Sequence, residues 1–169
     1  MADRAETELG WDGPDMGLHE ECGVFGIYDP AGGCAQTTYY GLYALQHRGQ
    51  EACGIATIND REQSFYKDVG LVSEVFDKQT LQRLNGTMAV GHVRYATTGA
   101  RERENAQPLT IKYVKGTLAV VHNGNLVGVD QLRQKFEYQG AIFHTTSDSE
   151  LIAYAIAQAR LRCASVEEA

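Results

Sequence analysis

The chain has 169 residues, 43% of them hydrophobic, which is enough for one globular domain with a real core and too few for two ordinary ones. Its net charge of −7 sits mostly in residues 1–21, where seven acids face Arg4 alone, so this leader carries −6 and the remainder −1; the body therefore lacks the basic stripe of a nucleic-acid binder. No run approaches the roughly 18 consecutive apolar residues of a membrane span, the leader lacks a secretory signal's basic and apolar regions, and the spacing of Cys22, Cys34, Cys53 and Cys163 excludes the usual zinc motifs.

Gly10, Gly13, Pro14 and Gly17 among acids mark the leader as a segment without a core of its own. Val24–Tyr28 then predicts a buried strand ended by the Asp29-Pro30 and Gly32-Gly33 turns. Thr37 or Thr38 can cap a helix with Tyr39, Leu42, Tyr43 and Leu45 at helical spacing, stopped by Gly49. Strands are expected over Gly54–Ile58, Ser64–Val69, Thr87–Val93, Leu109–Val114 and Thr117–His122, with a helical pattern over Leu71–Leu84. Asp130 can cap a helix through Leu132 and Phe136 that ends at Gly140. Ser147-x-x-Glu150 is a capping box for a last helix carrying Leu151, Ile152, Ala155, Ile156 and Ala159. A second capping signature, Ser165-Val166-Glu167-Glu168, runs to the last residues, so the domain is expected to be incomplete at that end. Strands in mid-sequence flanked by helices predict an α+β layered architecture.

Cys22 stands between the acidic leader and the first strand. Cutting the bond before it would give one residue a thiol and a free α-amine, groups with reference pKa values of about 8.5 and about 7.7–8.0, a nucleophile with its own base. The residue is equally open to use as a small buried hydrophobe. Asn123-Gly124 offers a side-chain amide and a backbone N–H that can converge on an oxyanion, yet Asn-Gly is also a common hairpin turn. Arg94 ends an apolar strand beside Thr97-Thr98, where a guanidinium and hydroxyls can hold a carboxylate. Asp148 falls in the first turn of the last helix, where the helix dipole favours an anion. It can serve the helix alone or hold a cation. Arg48 follows a helix end, a place where a cation is stabilising anyway. His92 and His122 suggest a Cys-His dyad, but each lies in a strand-like run and reads better as a core histidine.

Taken in order, Cys22-Gly23-Val24-Phe25-Gly26, Leu45-Gln46-His47-Arg48-Gly49-Gln50, Gly91-His92-Val93-Arg94-Tyr95-Ala96-Thr97-Thr98-Gly99, Asn105-Ala106-Gln107-Pro108-Leu109, His122-Asn123-Gly124-Asn125 and Ser147-Asp148-Ser149-Glu150 resemble the class II glutamine amidotransferases. These are N-terminal-nucleophile hydrolases. Tyr95, the Gln-Pro pair and the Ser-Asp-Ser-Glu run look most like the glutaminase half of those that act on phosphoribosylpyrophosphate. The resemblance implies a four-layer αββα sandwich over 22–169, a propeptide over 1–21, and no phosphoribosyltransferase domain in this chain. It implies Cys22 as nucleophile, Asn123 and Gly124 as oxyanion donors, Arg48 orienting Cys22, Arg94 and Thr97 on the glutamine carboxylate, and Asp148 on its ammonium. It implies no metal or cofactor here, magnesium in the complete enzyme, an iron–sulfur cluster there left open, L-glutamine as substrate, phosphoribosylpyrophosphate only through the further domain, and a homo-oligomer when complete. No nucleic-acid or membrane partner is expected, and the working thiol fits a reducing, cytoplasmic setting. The alternatives are another class II enzyme, such as a glucosamine-phosphate synthase, and a non-catalytic binding domain that keeps the fold.

Overall fold

The computed structural model describes residues 22–59, 62–95 and 103–169, and both the acidic leader and Thr97 lie outside them. In chain order the elements are β1 (Gly23–Tyr28), α1 (Cys34–Ala44), β2 (Ala52–Asn59), β3 (Glu62–Val69), α2 (Val72–Val75), α3 (Lys78–Arg83), β4 (Met88–Arg94), β5 (Leu109–Tyr113), β6 (Gly116–Val120), α4 (Val129–Tyr138) and α5 (Asp148–Ala159). Two short 3-10 turns, Gln46–Arg48 and Arg103–Asn105, join them. The first four strands form an antiparallel sheet in the order β1-β4-β2-β3, and β5 and β6 form a separate antiparallel ribbon.

The two-residue period of the strands sorts their side chains into the layers. On one face of the larger sheet, Phe25, Cys53, Ile55 and Val93 join Leu42 of α1 and Phe76 in a core. Leu42 and Ile55 are fully buried, each worth roughly 1.5–3 kcal/mol in removed apolar area. The opposite face of β2 meets the segment that enters β5: a side chain at Gly54 would collide with the Gln107 carbonyl and Pro108. Lys67 of β3 donates to the Glu104 and Ala106 carbonyls from that same face, and burial pushes its ammonium pKa down. Helix α5 covers the β5–β6 ribbon and α4 packs on α5, around a second core of Phe136, Ala141 and Leu151. The order is helix, sheet, sheet, helix, the αββα sandwich.

Three local expectations are corrected. Helix α1 starts at Cys34, ahead of Thr37 and Thr38, because Gly33 at φ 75 provides the left-handed turn into it; Thr38 is buried inside the helix. The pattern over Leu71–Leu84 divides into α2 and α3, since Phe76 turns into the core and the Asp77 carboxylate caps α3 through the Thr80 N–H at 2.7 Å. Helix α4 is entered through Gly128 at φ 75, so Asp130 lies in its first turn rather than capping it.

His92 of β4 is fully buried opposite Val24 and Gly54, with its ring against the His122 backbone. Burial pushes its imidazole down to about 4, opposed by a hydrogen bond with the His122 backbone and aided by the nearby Arg94 charge. It is therefore neutral in the folded chain at pH 7. An unfolded histidine takes a proton near about 6.5, so between about 6.5 and 4 the unfolded chain binds more protons. The associated stability is full above about 6.5 and is lost as pH falls toward 4. Urea midpoints at pH 7.5 and 4.5 should show His92→Leu losing on the order of 2–3 kcal/mol less than wild type on acidification. Equal losses would mean that His92 does not carry this dependence.

Candidate active site

Cys22 immediately precedes β1, and Gly23 pairs with Val93, so strand alternation sets Cys22 and Arg94 on the face away from α1. The thiol is half-buried, and its sulfur accepts from the Tyr95 backbone N–H at 3.4 Å and donates to the Tyr95 carbonyl at 3.6 Å. The Cys22 carbonyl accepts from Asn123 Nδ2 at 2.7 Å and from Arg48 Nε at 3.4 Å. Arg48 can approach because Gly49 lies flat on the end of β4, where a Cβ would sit 2.7 Å from the Val93 carbonyl carbon. Thus three distant segments converge on one residue.

Beside the sulfur lies a cleft of about 300 Å³ whose walls include Arg94, Tyr95, Gln107, Gly124 and Asp148. Ser147 caps α5 by accepting from the Ser149 N–H at 3.3 Å, which places Asp148 in the first turn. The Asp148 Oδ2 accepts from the Leu126 N–H at 2.8 Å, while Oδ1 lies 3.4 Å from the Ser149 hydroxyl and 3.9 Å from His122 Nδ1. The cleft thus carries a guanidinium and a carboxylate, the pair of charges that would hold a zwitterionic amino acid by its two ends.

Of the sequence-predicted residues, Cys22, Arg48, Arg94, Asn123, Gly124 and Asp148 meet around this cleft. Thr97 lies outside the described residues. His122 engages Ser149 and Asp148 rather than the thiol, so its ring is not placed as a papain-type base. The capping box at Ser147 is corrected: Glu150 turns away from the Ser147 N–H and accepts from the His144 and Thr145 N–H groups and the Thr145 hydroxyl, pinning the approach to α5. Sequence reasoning missed two features of the site. The Tyr95 backbone holds the thiol, which no residue type could signal, and the Gln107 side chain is buried against His122 although its motif was visible. Among the described residues no group of three or more His, Cys, Asp or Glu side chains is placed to hold a metal ion. Among those residues magnesium and an iron–sulfur cluster therefore find no such ligand set.

Residues 76–166, just over half of the chain, match the family described as the glutamine amidotransferase domain, and the chain belongs to that family. Its relatives narrow the kind. An amidophosphoribosyltransferase of Synechocystis sp. is 52% identical over 157 residues, covering 89% of this chain and 32% of its own length. One from Methanocaldococcus jannaschii is 47% identical over 149 residues, covering 88% and 32%. A solved structure of the allosteric regulatory enzyme of purine biosynthesis superposes with a TM-score of 0.77 at 44% identity, covering 86% of this chain and 31% of that one. The glutamine phosphoribosylpyrophosphate amidotransferase from B. subtilis, complexed with ADP and GMP, gives 0.71 at 41% identity, covering 88% and 30%. The chain spans about a third of the length of these relatives.

Proposed function

We propose that this chain hydrolyses L-glutamine through Cys22 and provides the ammonia that a complete enzyme adds to phosphoribosylpyrophosphate, making phosphoribosylamine in the first step of de novo purine biosynthesis. The observation that carries the reading is the thiol at the edge of a cleft bearing Arg94 and Asp148. In this reading Arg94 and Thr97 hold the glutamine carboxylate and Asp148 its ammonium, which aims the side-chain amide at the sulfur. The Cys22 α-amine takes the thiol proton and the sulfur adds to the amide carbon. The oxygen becomes an anion facing Asn123 Nδ2 and the Gly124 N–H. Collapse with protonation of nitrogen expels ammonia and leaves a γ-glutamyl thioester, and water then releases glutamate and the thiol. Arg48, on the Cys22 carbonyl, orients the nucleophile.

Transfer to phosphoribosylpyrophosphate, with loss of pyrophosphate, belongs in this proposal to a phosphoribosyltransferase domain outside the matched third. Magnesium and homo-oligomer formation belong to that complete enzyme. Residues 1–21 are proposed to be a propeptide, and the free thiols of Cys22, Cys34, Cys53 and Cys163 suit a reducing cytoplasm. Among the described residues no helix is long and apolar enough to cross a membrane.

A chloroketone analogue of glutamine offered to the chain beginning at Cys22 tests the reading. Mass mapping is expected to find an adduct on Cys22 whose formation added L-glutamine slows, while any adduct on the half-buried Cys163 forms at a rate that glutamine leaves unchanged. Cys34 and Cys53 are buried, and burial followed by Asp68 and Glu74 pushes the Cys53 thiol up to about 12, so neither should react. Calorimetry with phosphoribosylpyrophosphate and magnesium should show no specific binding to this chain. Labelling of Cys22 that L-glutamine does not slow would overturn the glutaminase assignment, and micromolar binding would relocate the acceptor site.

A further inference from the structure

Gln107 is 7% exposed, and its carboxamide faces a single residue from both sides. Its Oε1 accepts from the His122 N–H at 2.6 Å, and its Nε2 donates to the His122 carbonyl at 3.2 Å. The amide thereby copies the paired bonds that a neighbouring strand would make, at a point where β6 has already ended at Val120. Nε2 also donates to the Ser149 hydroxyl at 3.2 Å, in the first turn of α5. Asn123 and Gly124 follow His122 directly, and the His122 ring lies against Gly124, with Nε2 3.1 Å from where a Cβ would project.

We propose that Gln107 is a positioning residue for catalysis: by clasping the His122 backbone it sets the Asn123-Gly124 turn at the distance from Cys22 at which both donors meet the oxyanion. This rests on the glutaminase reading above. The Gln107 amide engages both the N–H and the carbonyl of His122, and the buried His92 ring lies against the same backbone. The ammonium end of the cleft is held chiefly by another bond, since the Asp148 carboxylate accepts from the Leu126 N–H at 2.8 Å and meets Gln107 only through the Ser149 hydroxyl, at 3.4 and 3.2 Å. Gln107 therefore acts on the bond-making step and leaves amino-acid capture largely alone. A buried amide that only filled space would affect folding and nothing else.

The split is measured with the chloroketone analogue of glutamine: the Cys22 sulfur adds to the ketone carbon to form a tetrahedral oxyanion, then shifts to the adjacent methylene as chloride leaves and the ketone re-forms, and a thioether remains. For Gln107→Met in the chain beginning at Cys22, the limiting rate of alkylation is expected to fall at least about 10-fold, with the half-saturating concentration changed less than about 3-fold. Alkylation by iodoacetamide, which forms no oxyanion, should keep its wild-type rate. If Gln107→Met does not fold, Gln107→Asn serves, because its amide stands one carbon short of His122. A folded variant with the wild-type limiting rate overturns the proposal and leaves the glutaminase reading intact. Absence of glutamine-protected labelling in the wild type overturns both. In the wild-type chain alone, the His122 amide hydrogen should exchange at least about 100-fold more slowly than an unprotected amide, and exchange at the unprotected rate refutes the clasp whatever the variants do.

Discussion

Intact mass spectrometry of the wild-type protein is expected to show loss of residues 1–21, and Cys22→Ala is expected to retain them and to hydrolyse no glutamine. In the cleavage we propose, the Cys22 sulfur adds to the Glu21 carbonyl carbon and the peptide nitrogen leaves, giving a thioester and a free α-amine. Water then releases a new carboxylate at Glu21 and restores the thiol. The same sulfur serves both reactions, so one substitution removes both. Loss of a hydrolase nucleophile lowers kcat by about 10^6 in the best-measured case, which here means no turnover above background. The geometry around Cys22 is prepared on either side of the residue: the Tyr95 backbone holds the sulfur, while Asn123 and Arg48 hold the carbonyl. A fully matured Cys22→Ala protein would assign the cut to an outside protease.

The second large effect is expected at Asp148. Asp148→Asn can keep the bond from the Leu126 N–H through its remaining carbonyl oxygen, and it then turns an NH2 toward the space occupied by Oδ1. A donor would face the substrate ammonium in place of an acceptor. Removing one partner of a desolvated, hydrogen-bonded charge pair costs on the order of 2–5 kcal/mol, so kcat/KM for glutamine should fall at least about 30-fold. Asp148 begins a helix rather than filling a core, and the thermal midpoint should move little by comparison. A folded Asp148→Asn protein with wild-type glutaminase kinetics would remove Asp148 from the substrate site.

Where the chain's local chemistry determines its shape, the sequence could be read directly. Ser147 predicts the start of α5 because a hydroxyl before an apolar helical pattern has an obvious use, and the Asp148 position follows from it. The strands were legible from their apolar runs, within two residues at most ends. The start of α1 was not, because Thr37 and Thr38 carry the same capping chemistry as Ser147 and only tertiary packing against the sheet buries Thr38 inside the helix. Glu150 was misassigned for a similar reason: its carboxylate finds three donors in residues 144–145, which outcompete the Ser147 N–H. The positions of Cys22, Arg94, Asn123 and Asp148 could be proposed from motifs, but their meeting in one cleft depends on the antiparallel pairing of β1 with β4 and the docking of α5 on the β5–β6 ribbon. Gln107 was invisible as a functional residue because a side chain that binds another segment's backbone leaves no period and no charge pattern.

The bond from Asn123 to the Cys22 carbonyl joins residues 101 positions apart, and the contacts of Tyr95 with the sulfur span 73. Such closures form late, since the entropy of bringing distant segments together must be offset by the packing of everything between them. Cys22 is made before β4 and the 122–124 turn, so its partners Tyr95 and Asn123 reach it only after those later segments are made and docked. If Cys22 removes residues 1–21 in the cleavage proposed above, that cut certifies that the sandwich has closed, and the new amino terminus records completed folding.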